Sequence, residues 1–171
     1  ELGLTRTSLA AAYGVATLVA AFLLPKLGSF IDRVGPMRML WILTLGLGAA
    51  CILFSFASNW IYVAIGFGFL RFIGQGSLML NCNNMVSQWF VRKRGFALGI
   101  MSLGFPISMA IHPPLCQWLI ETIGWRETWI WLGISTWIIL LPPILLFAYN
   151  KPEQVGLAPD GVIETADSQS F

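Results

Sequence analysis

The sequence predicts an all-α membrane protein with five transmembrane helices. Of its 171 residues, 57% are hydrophobic and 11% are charged, and the mean hydropathy is +0.75. Ordinary soluble domains contain about 25% charged residues. A helix that crosses the roughly 30 Å hydrocarbon core of a bilayer needs about 20 mainly apolar residues. The chain has five such stretches with short charged or Gly/Pro-containing breaks between them, which indicates a protein integral to a membrane.

The five predicted spans follow one another closely. The first has no charged residue between Thr7 and Pro25, and the second and third together contain a single one, Arg71. Pro106 and the pair 142–143 fall inside the fourth and fifth spans, where proline bends a membrane helix without excluding it. The predicted spans are residues 7–28, 39–57, 60–85 (with helix able to continue to Trp89), 96–120 and 128–149, and the polar residues 151–171 predict the start of a cytoplasmic linker.

The basic residues predict the orientation of the helices. Cytoplasmic loops of membrane proteins contain an excess of Lys and Arg. Seven basic residues lie at the end of span one, between spans one and two, between spans three and four, or after span five, whereas two lie on the opposite side. The chain is therefore predicted to start outside a plasma membrane or bacterial inner membrane and to end in the cytoplasm. The seven are Lys26, Arg33, Arg38, Arg92, Lys93, Arg94 and Lys151, and the two are Arg6 and Arg126.

A dense motif, Gly28-x-x-x-Asp32-Arg33-x-Gly35-x-x-Arg38, lies between the first two spans. It resembles the signature loop between helices 2 and 3 of the major facilitator superfamily. Other stretches are similar to the same superfamily, the last three to its monocarboxylate-transporter-like and oxalate/formate-antiporter-like members. These stretches are Arg71-Phe72-Ile73-Gly74-Gln75-Gly76, Gln88-Trp89-Phe90-x-Arg92-Lys93-Arg94-Gly95-x-Ala97-x-Gly99, Gly124-Trp125-Arg126 and Lys151-Pro152-Glu153-x-x-Gly156-Leu157-x-Pro159-Asp160-Gly161.

The resemblance covers nearly the whole chain and implies helices 2 to 6 of one half of a twelve-helix bundle. Because an external start without a signal peptide predicts a helix upstream, the same half-transporter follows from the orientation. Helix 1 and the second six-helix half would then lie outside this chain. The implied function is secondary active transport of small organic anions by alternating access, with protons as a candidate coupling ion and with no cofactor or metal.

The motif residues have predicted roles. Gly28 and Gly35 permit a tight turn and a close approach of helix ends. In the superfamily this loop latches one half of the protein against the other. The resemblance therefore implies that Asp32, with Arg33 and Arg38, breaks and remakes contacts as the transporter changes state.

Arg71 lies near the middle of the third span. An Arg at the bilayer centre costs about 2.5–3.5 kcal/mol on insertion scales, so its side chain is predicted to face the protein interior or an aqueous cavity. Gln75 lies one helical turn further on. Two interpretations remain open: contact with an anionic substrate, or a structural bond to backbone carbonyl groups of the preceding helix.

Further polar residues inside the spans also have two interpretations. Asn81, Asn84 and Gln88 share one face at helical spacing. They line the inner cavity or form hydrogen bonds between helices, and the second interpretation is favoured. His112, the one histidine, is a candidate proton carrier, or is satisfied locally beside Pro113. The predicted pathway residues are therefore Arg71, Gln75, Asn84 and His112.

Glycines such as Gly48, Gly99 and Gly104 are interpreted as helix-packing positions, since small residues let backbones approach. The alternatives to anion transport are transport of an unrelated small solute, and a membrane sensor or structural subunit that transports nothing. An enzyme is not predicted, because no H-E-x-x-H, nucleophile elbow or P-loop occurs. No nucleic-acid partner is indicated either, because the basic residues lie in short loops. The predicted partners are a small organic anion, protons, the lipid bilayer and the remainder of the same transporter.

Overall fold

The computed structural model describes residues 6–147, 149 and 155–157, and that part of the chain contains helices and turns but no strand. Five helical segments run alternately up and down. They are α1 (Arg6–Val34), α2 (Pro36–Ser55), α3 (Trp60–Trp89), α4 (Arg94–Ile123) and α5 (Trp125–Phe147). The predicted all-α fold is confirmed.

Length and composition allow four of these helices to cross a bilayer. The four candidate spans are α2, α3, α4 and residues Trp125–Leu146 of α5. In α1, the described side chains include a shorter apolar stretch, Phe22–Ile31. Large apolar side chains are exposed on the outside of the bundle, including Phe22 (80%) and Phe96 (72%). A surface of this kind is stable in lipid rather than in water, so the protein is an integral membrane protein.

The turn between α1 and α2 is much shorter than predicted. The segment from Gly28 to Val34 is still helical, and the chain reverses at Gly35, whose φ of 91° favours glycine. The Gly35 N–H donates to the Ile31 carbonyl at 2.9 Å, and the Met39 N–H donates to the Gly35 carbonyl at 3.1 Å. The apolar span ends near residue 28 but the helix does not, because Ile31 is fully buried in the core and holds the last turns in place.

The connection between α4 and α5 uses the same device. Gly124 has a φ of 89°, and its carbonyl accepts a 2.7 Å hydrogen bond from the Thr128 hydroxyl at the start of α5. Both helices therefore extend beyond the predicted spans, α4 to Ile123 and α5 back to Trp125.

The described core consists of two apolar clusters near opposite ends of the bundle. One joins α1, α2 and α3 next to Gly35. The other joins the end of α2 to the starts of α3 and α5, with the Phe54 ring 4.6 Å from the Trp129 ring and 5.0 Å from the Phe67 ring. The buried residues of the first are Ile31, Met39, Leu43 and Ile73, and those of the second are Phe54, Ala57 and Val63.

The contact between α2 and α5 is close enough to require glycine. A Cβ atom on Gly133 would lie 2.6 Å from the Gly48 carbonyl oxygen, and one on Gly48 would collide with the Trp137 indole. Gly48 thus agrees with its predicted packing role. For Gly99 and Gly104 no described atom lies within 4 Å of a Cβ placed on either, so their packing role stays a prediction. Gly133 was not singled out in the sequence.

Candidate functional site

The middle of α3 is π-helical. Residues Arg71–Leu78 form a π-helix between the α-helical segments Trp60–Leu70 and Met79–Trp89. The Ser77 hydroxyl donates to the Phe72 carbonyl at 2.7 Å, five residues back, which is the spacing of a π turn. Short π segments inside α-helices occur frequently at functional sites.

Arg71 and Gln75 form a polar pair in this π-helical segment. The Arg71 Nη1 donates to the Gln75 Oε1 at 2.7 Å. Arg71 is half-buried and Gln75 is exposed. Arg71 is the twelfth residue of a 30-residue span, which places it about 17 Å from the start of α3 at 1.5 Å per residue. The pair therefore lies at the depth of the bilayer interior, and the predicted proximity of the two residues is observed.

The asparagines further along α3 divide into two environments. Asn81 is fully buried, and its Nδ2 donates to the Pro36 carbonyl on α2 at 2.9 Å, so this residue makes a bond between helices. The Asn84 Oδ1 accepts from the Gln88 Nε2 at 3.1 Å within α3, and both residues are half-buried. Asn84 thus lies more than two turns away from Gln75 along the same helix.

His112 lies on a different helix from the Arg71–Gln75 pair. Its Nδ1 is 3.1 Å from the Ser108 hydroxyl, one turn earlier on α4, and the imidazole is exposed. In the described part of the chain, α4 packs mainly against the last third of α3 and against α5, and none of its residues is buried. The structure therefore does not bring His112 and Arg71 together.

The signature motif is distributed over two helices. Gly28 lies within α1, Asp32 and Arg33 lie in the last turn of α1, Gly35 forms the reversal, and Arg38 lies in the first turn of α2. Arg33 and Arg38 are exposed, whereas the Asp32 side chain lies outside the described residues. Gly35 lies at the reversal itself, with a φ of 91°. Gly28 is helical, and the nearest atom to a Cβ placed on it belongs to Leu80, at an ordinary distance of 4.0 Å.

Charge is distributed unequally between the two ends of the bundle. The end that contains Gly35 also contains the α3–α4 connection. Tyr149, which follows α5, lies at the same end, because its carbonyl accepts a 3.3 Å hydrogen bond from the Trp89 Nε1. At the opposite end, Arg126 lies over the Trp125 ring at 5.4 Å, and the acidic residues Glu121 and Glu127 are close to it in sequence. The exposed basic residues of the first end are Lys26, Arg33, Arg38, Arg92, Lys93 and Arg94.

The described residues contain no group of three or more His, Cys, Asp or Glu side chains able to hold a metal ion. Cys51, Cys82 and Cys116 are free thiols.

Comparison with known proteins identifies the family. The family model described as Major Facilitator Superfamily matches residues 1–166. The chain belongs to the major facilitator superfamily. It is 30% identical over 143 residues to a probable sulfoacetate transporter of Cupriavidus necator, covering 82% of this chain and 33% of that protein.

Two further relatives extend the comparison. The chain is 30% identical over 139 residues to a probable L-galactonate transporter of Escherichia coli, covering 78% of this chain and 30% of the relative. It is 28% identical over 82 residues to human monocarboxylate transporter 2, covering 48% of this chain and 17% of the relative. The chain spans about a third or less of the length of these curated relatives.

Membership of the major facilitator superfamily confirms the predicted resemblance and the membrane fold. The superfamily's proteins are transporters, and those similar to this chain include monocarboxylate transporters. The superfamily's signature loop is, in this chain, a single-residue reversal at Gly35 between two long helices. The polar pair Arg71–Gln75 lies one helix further on, inside a π-helical segment that local sequence spacing did not reveal.

Proposed function

We propose that this superfamily member is a secondary active transporter of small organic anions of the monocarboxylate type, which works by alternating access. The observation behind the proposal is the Arg71 guanidinium at mid-span, held by Gln75 at 2.7 Å within the π-helical segment of α3.

A positive charge at this depth needs a counter-charge or water. No Asp or Glu occurs anywhere between Asp32 and Glu121, and none occurs in the other apolar spans. The side chain that accepts the 2.7 Å hydrogen bond of Arg71, Gln75, is a neutral amide. Charged side chains inside membranes pair with one another or face a substrate pathway. A substrate carboxylate would be attracted to this positive charge, and the planar guanidinium suits its two oxygens.

The names of the relatives support the same substrate class. Sulfoacetate, L-galactonate and monocarboxylates are all organic acids. We further propose that the end bearing Arg33, Arg38 and residues 92–94 is cytoplasmic, since positively charged loops stay on that side. Protons are the proposed coupling ion, with His112 as the candidate carrier.

Transport by the full-length protein in proteoliposomes tests the proposal. Uptake of labelled lactate, pyruvate, formate and oxalate is measured with and without an inward proton gradient, for wild type, Arg71→Gln and Arg71→Lys. We expect uptake of at least one anion, and a loss of about 30-fold or more in Arg71→Gln, since removing one partner of a desolvated charge pair costs about 2–5 kcal/mol. Arg71→Lys should recover part of the activity, because it keeps the charge but not the fork geometry.

Arg126→Gln is the matched control. It removes an exposed arginine that lies over Trp125 in the first turn of α5, on a different helix from Arg71. Its uptake should equal that of wild type. Equal uptake by wild type and Arg71→Gln would show that Arg71 does not bind the substrate. Transport of a neutral solute, with none of the four anions transported, would contradict the anion assignment.

A further inference from the structure

The side chain of Asn81 joins α3 to the point where the chain turns from α1 into α2. It is fully buried, and its Nδ2 donates to the carbonyl of Pro36, 45 residues away, at 2.9 Å. Pro36 is itself buried and is the first residue of α2, directly after the positive-φ Gly35. The bond therefore attaches the reversal in the signature motif to α3.

Packing reinforces this attachment on one side of the reversal only. Ile31, four residues before Gly35, is fully buried, and Met39, four residues after it, is 3% exposed. Both belong to the cluster that includes Ile73 on α3. Arg33 and Arg38, between these buried positions, are exposed. The apolar side of the reversal is thus seated on α3, and this seating determines where the charged side points.

Stability alone does not explain an amide at position 81. The Asn81 Oδ1 is buried without a hydrogen-bond partner among the described residues, which is unfavourable in an apolar surrounding. The Pro36 carbonyl is at the first position of α2, where the backbone N–H four residues later donates to it in an α-helix. This carbonyl therefore does not depend on Asn81 for a hydrogen bond. A leucine is bulkier but has the same branching and leaves no buried acceptor unpaired, so the directional bond to Pro36 is the property that only the amide provides.

We propose that Asn81 is a positioning residue for the signature motif: its hydrogen bond holds the α1–α2 reversal on α3, so that the exposed Arg33 and Arg38 are presented for the latch during alternating access. The inference rests on the proposed transport function. It assigns to Asn81 an effect on the rate of conformational exchange and none on substrate affinity, because Asn81 contacts the reversal and not the Arg71–Gln75 pair.

Two measurements on the full-length protein test this role, using Asn81→Leu and, in case the bulkier side chain disturbs folding, Asn81→Ala. The first is hydrogen–deuterium exchange of backbone amides in residues 31–40 compared with residues 45–52. The second is the separation of kcat from KM for uptake in proteoliposomes. Asn83→Leu is the matched control, since Asn83 is the same residue type two positions on and is half-buried.

We expect amides of residues 31–40 to exchange about 3- to 10-fold faster in the Asn81 variants, the range of one net hydrogen bond, with residues 45–52 unchanged. The kcat should fall by a similar factor while KM stays within about twofold. Asn83→Leu should change neither quantity. A general loss of stability would instead accelerate exchange in both segments.

Unchanged exchange in residues 31–40 would overturn the inference, and so would a raised KM with an unchanged kcat. If wild type transports none of the substrates, the proposed function fails, but the exchange measurement does not depend on transport. Faster exchange confined to residues 31–40 would then still support Asn81 as the residue that holds the reversal, and unchanged exchange would refute it.

Discussion

Gly133 provides the sharpest test of how the helices are held together. In Gly133→Ala, the new methyl group would lie 2.6 Å from the Gly48 carbonyl oxygen and 2.7 Å from the Ile52 Cγ1, whereas ordinary contacts begin near 3.4 Å. The nearest atom belongs to the backbone and cannot rotate away. To accommodate the methyl group, α5 has to move away from α2 by about 0.8 Å, the difference between these distances.

The expected loss of stability follows from two opposing effects. Overpacking of a close contact costs about 1–3 kcal/mol, and the better helix propensity of alanine returns up to about 1 kcal/mol. The shift also weakens the 3.3 Å hydrogen bond from the Trp137 Nε1 to the Leu45 carbonyl, one turn away. A net destabilisation of about 1–2 kcal/mol lowers the Tm of a protein of this size by about 2–8 °C.

The assay uses a buried thiol as the reporter. Cys51 is 7% exposed, and its Cβ would lie 3.3 Å from the new methyl group, so a thiol-reactive fluorogenic dye reports unfolding at this interface. The measurement is made in detergent on a background with Cys82→Ala and Cys116→Ala. Gly104→Ala is the control: it has open space around its Cβ position, and its Tm should be unchanged or slightly raised. Equal melting temperatures for Gly133→Ala and Gly104→Ala would refute the proposed close contact.

Two other substitutions test the turn and the indole bond by the same melting assay. Gly35→Ala places a Cβ at a φ of 91° and should destabilise the protein by about 1–2 kcal/mol. Gly95→Ala is its control, because no described atom lies within 4 Å of the added Cβ, and it should not lower the Tm. Equal Tm values for the two variants would contradict the strained turn at Gly35. Trp137→Phe keeps most of the ring but removes the donor to the Leu45 carbonyl, for a loss of about 0.5–1.5 kcal/mol. Trp131→Phe is the control, because this side chain is 57% exposed, and its Tm should lie within about 1 °C of the wild-type value. If Trp131→Phe lowers the Tm more than Trp137→Phe does, the loss of stability in Trp137→Phe does not come from the indole hydrogen bond.

Local spacing predicted the parts of the site that depend on neighbouring residues in the chain. Arg71 and Gln75 are four residues apart, and helical geometry alone brings such side chains together. The conversion of residues 71–78 from α- to π-helix was not predictable in this way, because the apolar pattern of α3 is compatible with both. Gly74 and Gly76, on either side of Gln75, were the available hint of an irregular helix.

Partners distant in the chain were not predictable. The bond from Asn81 was expected to reach another helix, but its acceptor at Pro36 depends on how α2 and α3 lie against each other. Gly133 was overlooked because its reason for being glycine, the Gly48 carbonyl, is 85 residues away. The polar residue His112 was grouped with Arg71 from sequence, and the two are on helices whose main contacts lie elsewhere.

Composition and local periodicity were sufficient to predict a polytopic, all-helical membrane protein and the approximate location of its helices, and the resemblance of its short motifs predicted the superfamily. Those properties depend on how many apolar residues occur in succession and on short motifs, which are properties of the chain itself. The tertiary structure decided that α1 runs through the signature motif to Val34, that α2 and α5 meet at paired glycines, and that Asn81 binds the first turn of α2. These features arise from pairs of side chains and backbone atoms far apart in sequence, and their contact energies exist only after the helices have packed.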